Sequence, residues 1–229
     1  MPVVLCKRTF MKIIVFFSFL LCLNFHTNAQ LRFGLKAGYN NTSAVYPNQP
    51  HIIKRSISGF QFGVLGEWRV HKLLLKSNIL FNQKGNYSDD SRIIIDNNRW
   101  VTYRLNYLEA NILAGYKFKL YKHTGFSIVA GPFVGLGLSG TEKGRGSNLL
   151  GSFNIDRKLE FTNDKVLNNW VVNFKPFDFG VDINASVNYK KYFLYFNWGK
   201  GLVDRTSSTS SEWKSTNNVF SAGVGYYFK

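Results

Sequence analysis

The chain is nearly free of cysteine, and its two, Cys6 and Cys22, both stand within the first thirty of 229 residues. Once such a leader is removed, no disulfide, thiol nucleophile or thiolate metal site can form downstream. A transmembrane helix is also missing. The apolar run Ile13–Leu23 has 11 residues, where about 20 are needed to span a bilayer. There is no helical periodicity beyond residue 30, and no H-E-x-x-H, G-x-S-x-G or assembled Ser-His-Asp set. His51, His71 and His123 are scattered without metal-ligand spacing. These absences exclude the usual hydrolase and metalloenzyme designs, so the expectation is no enzyme activity, no cofactor and no metal. Acidic residues are scarce as well, 13 against 29 lysines and arginines, for a net charge of +16.

The leader reads as an export signal. Lys7, Arg8 and Lys12 precede the apolar run, and Thr27-Asn28-Ala29 supplies small residues where a signal peptidase cuts. Cleavage is expected between Ala29 and Gln30, giving a signal peptide over 1–29 and one domain over 30–229. Met11 offers a second start. Cys22 makes a poor lipoprotein cysteine, because Leu21 precedes it where a small residue is wanted. Losing Lys7, Arg8 and Lys12 lowers the excess charge from +16 to +13. An exported basic protein seldom meets nucleic acid, so anionic lipid headgroups and surface polysaccharide are the expected counter-charges.

What the sequence has in abundance is alternation. Aromatic residues make up 17% and glycine occurs 20 times, a composition that favours strands over helices. In FDFGVDINASVNY, Phe177 to Tyr189, every odd residue from Phe177 to Tyr189 is apolar, and the even ones are Asp, Gly, Asn or Ser. In a strand these sets occupy opposite faces. Similar runs cover 32–40, 60–69, 73–83, 107–118, 126–139, 192–200 and 219–228, which makes eight. Long connections (41–59, 84–106, 140–176, 201–218) alternate with short ones near Val70-His71-Lys72, at 119–125 and at Lys190-Lys191. Phe33, Trp68, Phe118, Phe126, Tyr189, Tyr192 and Phe228 mark one rim of the runs. Tyr39, Phe60, Phe81, Phe177, Trp198 and Phe220 mark the other. The pattern predicts an all-β, eight-stranded antiparallel up-and-down transmembrane β-barrel in the outer membrane. It has short periplasmic turns, long extracellular loops and two aromatic girdles. A soluble lipocalin-like barrel would need the opposite arrangement, an apolar interior with a polar exterior.

The segments FGLKAGYN, GFQFGVLGEW, LFNQKG, LNYLEANILAGYKF, AGPFVGLGL, FDFGVDINA and VGYYFK, in that order, resemble the PorT-like outer-membrane β-barrel proteins of Bacteroidetes-type, Gram-negative bacteria. Asn111 stands where such proteins often carry proline, and Lys229 follows the terminal aromatic Phe228. The resemblance implies the outer membrane, insertion by the barrel-assembly machinery and an accessory part in protein secretion.

An eight-stranded interior is just wide enough for side chains to fill. The polar parity places Arg32, Lys36, Glu67, Arg69, Lys76, Glu109, Lys117, Asp178 and Asp182 inside. They are expected to form a paired ionic plug, because unpaired charges in that space would be costly. A narrow pore is the alternative. Glu67, Glu109 and Asp182 read as structural partners, since nothing places a nucleophile beside them. Lys54-Arg55, Lys143 and Arg145 are expected on exterior loops, facing lipopolysaccharide or a protein partner. GLGLSG, Gly135 to Gly140, has dinucleotide-loop spacing but no following helix, so its glycines are expected to give clearance inside the barrel. Gly140 is expected to mark the strand's exit from the membrane. The function these readings support is a small, non-catalytic outer-membrane barrel with a structural or interaction role.

Overall fold

A computed structural model describes residues 30–45, 53–92, 97–148, 151–163, 173–207 and 215–228. Ten strands follow in chain order: β1 Gln30–Val45, β2 Ile53–Arg55, β3 Ile57–Val70, β4 Leu73–Arg92 and β5 Asn97–Tyr121. After them come β6 Thr124–Asn148, β7 Gly151–Leu159, β8 Phe177–Tyr189, β9 Tyr192–Gly201 and β10 Thr216–Tyr227. Eight close a ring, β1-β3-β4-β5-β6-β8-β9-β10 and back to β1, with every pair antiparallel. Closure satisfies every strand's backbone groups, which an open sheet in hydrocarbon could not do. The eight ring strands carry the eight alternating runs, the last of them as far as Tyr227, and the short turns fall at His71-Lys72, Lys122-His123 and Lys190-Lys191.

The polar stretches that sequence patterning assigns to loops are largely strand. β4 runs on to Arg92 and β5 starts at Asn97, so most of 84–106 is a continuing hairpin. TEKGRGSN, beyond Gly140, completes β6, and β7 pairs back onto it from Gly140 to Asn148. Gly140 therefore lies mid-strand. β2 pairs with the far part of β4, so the order β2-β4-β5-β6-β7 forms a sheet projecting from one end of the ring.

The membrane boundary is written on β5. From Leu108 to Phe118 its outward residues are Leu108, Ala110, Ile112, Ala114, Tyr116 and Phe118, all exposed, with Ile112 at 61%. Inward from them lie buried Glu109 and Asn111. Ten residue steps at about 3.4 Å, tilted about 45°, give about 25 Å of height, the apolar band of such barrels. Beyond Tyr107 the chemistry inverts while the parity holds. Val101, Tyr103 and Leu105 point inward and are buried, and outward come Thr102, Arg104 and Asn106. At this level Tyr39 bonds Ser58 (2.5 Å), Gln83 donates to Asn106 (3.1 Å), Asn106 to Ser139 (2.9 Å) and Trp198 to Asn218 (2.8 Å). A polar belt thus follows the upper aromatic girdle, where Phe60, Phe62 and Phe81 stack. A bulge sits here too. Tyr107 pairs with Gly137 and Asn106 with Ser139, leaving Leu138 as the extra residue.

Candidate functional site

The lumen is filled by three polar clusters stacked along the barrel. Nearest the short turns, Glu67 on β3 is the hub. Arg32 on β1 and Lys117 on β5 pair with it, the latter at 2.9 Å. The Tyr227 hydroxyl donates to its other oxygen at 2.5 Å. Lys76 approaches to 3.9 Å but donates to the Ser186 (2.9 Å) and Ser127 (3.3 Å) hydroxyls. Leu74, Leu113 and Val129 pack into a small apolar layer within the lumen.

Midway, Asp182 on β8 is held by amides. Asn111 donates to one oxygen at 2.8 Å and Asn197 to the other at 3.2 Å, while Asn78 donates to Asn111 at 2.6 Å. Room for this carboxylate comes from Gly199, its register partner on β9, where a Cβ would fall 2.5 Å from Asp182 Oδ1. The Lys36 ammonium lies 4.5 Å from the ring centre of Tyr195, whose hydroxyl accepts from Gln61 at 2.9 Å.

Toward the far end, Lys84 bridges Glu109 (2.6 Å) and Asp178 (3.1 Å), with all three side chains almost fully buried. Asn217 donates to Asp178 at 2.8 Å, and Asn82 donates to Glu109 at 3.2 Å while accepting from Asn40 at 2.7 Å. The Lys84 ammonium also lies 4.3 Å from the ring centre of Phe133. Every bond in this cluster links different strands, so the cluster fixes the register of the ring.

Of the nine residues assigned inward, eight lie in these clusters. Arg69 does not join them and lines the lumen's mouth at the turn end. Lys84 escapes run-based reading because the apolar outward partners stop at Phe81, although the even-numbered inward parity continues through it. Arg55 lies on a strand rather than a loop, as do Lys143 and Arg145, and Lys54 belongs to β2. Lys143 pairs with Asp156 at 3.3 Å on the exposed face. Ala29 and His51 lie outside the described residues, while Gln30 opens β1. Among the described residues no group of His, Cys, Asp and Glu is placed to hold a metal ion.

Above the clusters the lumen is capped by returning chain. Phe174 is buried against Tyr103, ring edge to face at 5.6 Å, and the Arg205 guanidinium lies 5.6 Å from its ring centre. Phe161 meets Tyr107 at 5.6 Å and occupies the space a side chain at Gly137 would need. At Gly135 a Cβ would meet Tyr107 and Asp178 only at ordinary contact distance, 3.4 and 3.5 Å, so the expected clearance is not required there. Of the glycines of GLGLSG, Gly137 admits a ring into the lumen, and Gly140 makes room for Leu105 and Leu159. Backbone bonds tie the cap down, from Gly137 N to Pro176 O (2.7 Å), Thr162 N to Phe174 O (2.9 Å) and Lys175 N to Arg205 O (2.7 Å). In the projecting sheet, buried Glu142 pairs with Arg157, a bond that holds the guanidinium above its usual range. On the sheet's exposed face, Trp100 stacks on Tyr87 (6.3 Å, 22° between planes), and the Arg55 guanidinium lies 5.8 Å from the Tyr87 ring.

The family model described as outer membrane protein beta-barrel domain matches residues 25–227. No curated protein matches the sequence. Similar solved structures include OprG from Pseudomonas aeruginosa, at 11% identity and TM-score 0.46, covering 88% of this chain and 98% of that one. Neisserial surface protein A aligns at 14% identity and TM-score 0.42, covering 86% and 97%. Ail, the attachment invasion locus protein of Yersinia pestis, aligns at 11% identity and TM-score 0.37, covering 86% and 98%.

Proposed function

This chain belongs to the outer membrane protein β-barrel domain family and resides in the outer membrane, and from that premise we propose that it is a non-catalytic, non-conducting barrel with an interaction role. The observation that carries the reading is the filled lumen, three cross-strand polar clusters beneath a packed cap. Eight-stranded interiors leave no spare width for a water column once such side chains occupy them. The surface left for interaction is the projecting sheet. There Arg55, Tyr87, Trp100, Lys143 and Arg145 lie on strands that stand above the lipid band. Cations beside a flat aromatic pair suit the phosphates and sugars of lipopolysaccharide, or an acidic face of a protein partner.

Planar-bilayer recording of the purified barrel tests the first half, with no stable channel expected. Large, long-lived conductance steps would refute the sealed lumen. A photo-crosslinking residue at Trp100 tests the second half in intact cells. A discrete adduct is expected there, and none from the same group at Ile112 on the lipid face.

The ordered motifs shared with PorT-like proteins support a second reading, an accessory part in secretion across the outer membrane, with the same sheet as its contact surface. A deletion strain that exports its surface proteins normally would remove that reading and leave the first intact. The leader over residues 1–29 is proposed to be cleaved before Gln30, which N-terminal sequencing of the membrane-extracted protein would check.

A further inference from the structure

At the end that carries the short turns, the lumen opens into a cavity of about 840 Å³. Seven lysines and arginines and two histidines line it, and no aspartate or glutamate does. Arg32 and Lys117 form its floor, where they share the single Glu67 carboxylate with Lys76. Arg69 on the wall meets no carboxylate among the described residues, and Lys72, Lys119 and Lys122 complete the wall and rim.

The imbalance is local. Farther up, Lys36, Lys84 and the cap's Arg205 share the lumen with Glu109, Asp178 and Asp182, so the charges there balance. At the mouth, one carboxylate serves Arg32, Lys76 and Lys117, and Arg69 stands beside them without one among the described residues. Uncompensated cations crowded into a concave, partly desolvated site are costly, and the field they focus attracts a counter-ion. The donors are specific in kind. Arg69 brings a guanidinium fork and Lys72, Lys119 and Lys122 bring ammonium groups to one cavity above a floor where Arg32 and Lys117 already hold Glu67, a set suited to the many acceptor oxygens of a phosphate. The cavity exceeds a bare phosphate and matches the size of sites that hold small organic ligands.

We infer that this periplasmic vestibule binds a phosphate-bearing anion. Its source is either the glycerophosphate headgroup of an inner-leaflet lipid or a soluble phosphorylated small molecule, because the chemistry recognised is shared. The test uses the full barrel purified from membranes in a zwitterionic detergent. Glycerol 3-phosphate titrated calorimetrically at fixed ionic strength probes the soluble source. Native mass spectrometry with phosphatidylglycerol against phosphatidylcholine probes the lipid source. Arg69→Gln combined with Lys119→Gln removes two wall cations and leaves the Glu67 cluster intact.

Saturable binding in either arm, weakened at least tenfold in the double variant, is the expected result, and the arm that responds names the source. If neither probe binds above its chloride or phosphatidylcholine control, the inference is overturned. It is equally overturned if the double variant, still heat-modifiable on a gel, binds as the parent does.

Discussion

Replacing Lys84 by methionine removes one cation from between two buried carboxylates, at 2.6 Å from Glu109 and 3.1 Å from Asp178. At an effective dielectric constant near 20, those separations correspond to attractions of about 6 and about 5 kcal/mol. Part of that is recovered, because the lysine no longer has to be stripped of water. Asn217 and Asn82 also still donate to the two carboxylates. Breaking a buried pair by deleting one partner typically costs about 3–5 kcal/mol, and two orphaned carboxylates put this case toward the upper value. Methionine keeps the length of the side chain, so packing against Phe133 is little changed.

The assay is urea unfolding of the barrel in phosphatidylcholine vesicles, followed by tryptophan fluorescence and by gel mobility of unheated samples. Lys84→Met is expected to lose about 5 kcal/mol relative to the parent chain. Adding Glu109→Gln and Asp178→Asn to the same chain should restore most of the loss, because a neutral set of similar shape carries no orphaned charge. A single variant that costs under about 1 kcal/mol would refute the reasoning, as would a triple variant as unstable as the single one.

Three further outcomes are expected. Ile112→Lys puts a charge on the lipid face near mid-band and should cost about 2–4 kcal/mol in the same assay, whereas Thr102→Lys on the same strand above the band should cost almost nothing. Phe174→Ala should destabilise the cap by about 3–5 kcal/mol, seen as new protease cleavage between Leu159 and Phe177 while the barrel keeps its heat-modifiable mobility. Lys190 holds φ at 53° in a two-residue turn, so Lys190→Gly should relieve about 1 kcal/mol of left-handed strain and raise the unfolding midpoint.

The ring and its faces were legible in the sequence because a strand's side chains alternate with period two, and within the lipid band that alternation is also one of apolar against polar. Phe177 to Tyr189 shows it without a break, and β8 has those bounds. The lumen residues Glu67, Glu109 and Asp178 follow from the same parity. Legibility stopped where the solvent changed. Above the band, β5 and β6 keep their parity but no longer face lipid, so TEKGRGSN and the stretch before Leu105 look like loop while remaining strand. Lys84 was lost at that same border. Phe174 and Arg205 lie 31 residues apart in the chain and meet only through the cap's tertiary path, which no periodicity records. Asp182 was legible as an inward carboxylate. That amides rather than a cation hold it depends on which strands the ring brings beside β8.

The inversion along β5 also accounts for the cap over the lumen. Inside the band, lipid covers the outward apolar residues, so the interior has no need to be apolar and can be built from ion pairs and amides. Above the band, water reaches the outer face, and a sheet that projects there must bury its other face to be stable. Val101, Tyr103 and Leu105 present that face, and Leu159 of β7 packs with them. The remaining cover comes from the chain returning toward β8, which brings Phe161 and Phe174 over Tyr107 and Tyr103. β7 ends opposite Gly140 and β8 begins opposite Leu136 on the same edge of β6, so the chain between them leaves that edge and returns to it, with Phe161 and Phe174 turned over the lumen. The bond from Gly137 N to Pro176 O anchors it at that level. Burial of the projecting sheet's apolar face therefore brings Phe161 and Phe174 over the outer end of the lumen as a consequence of folding.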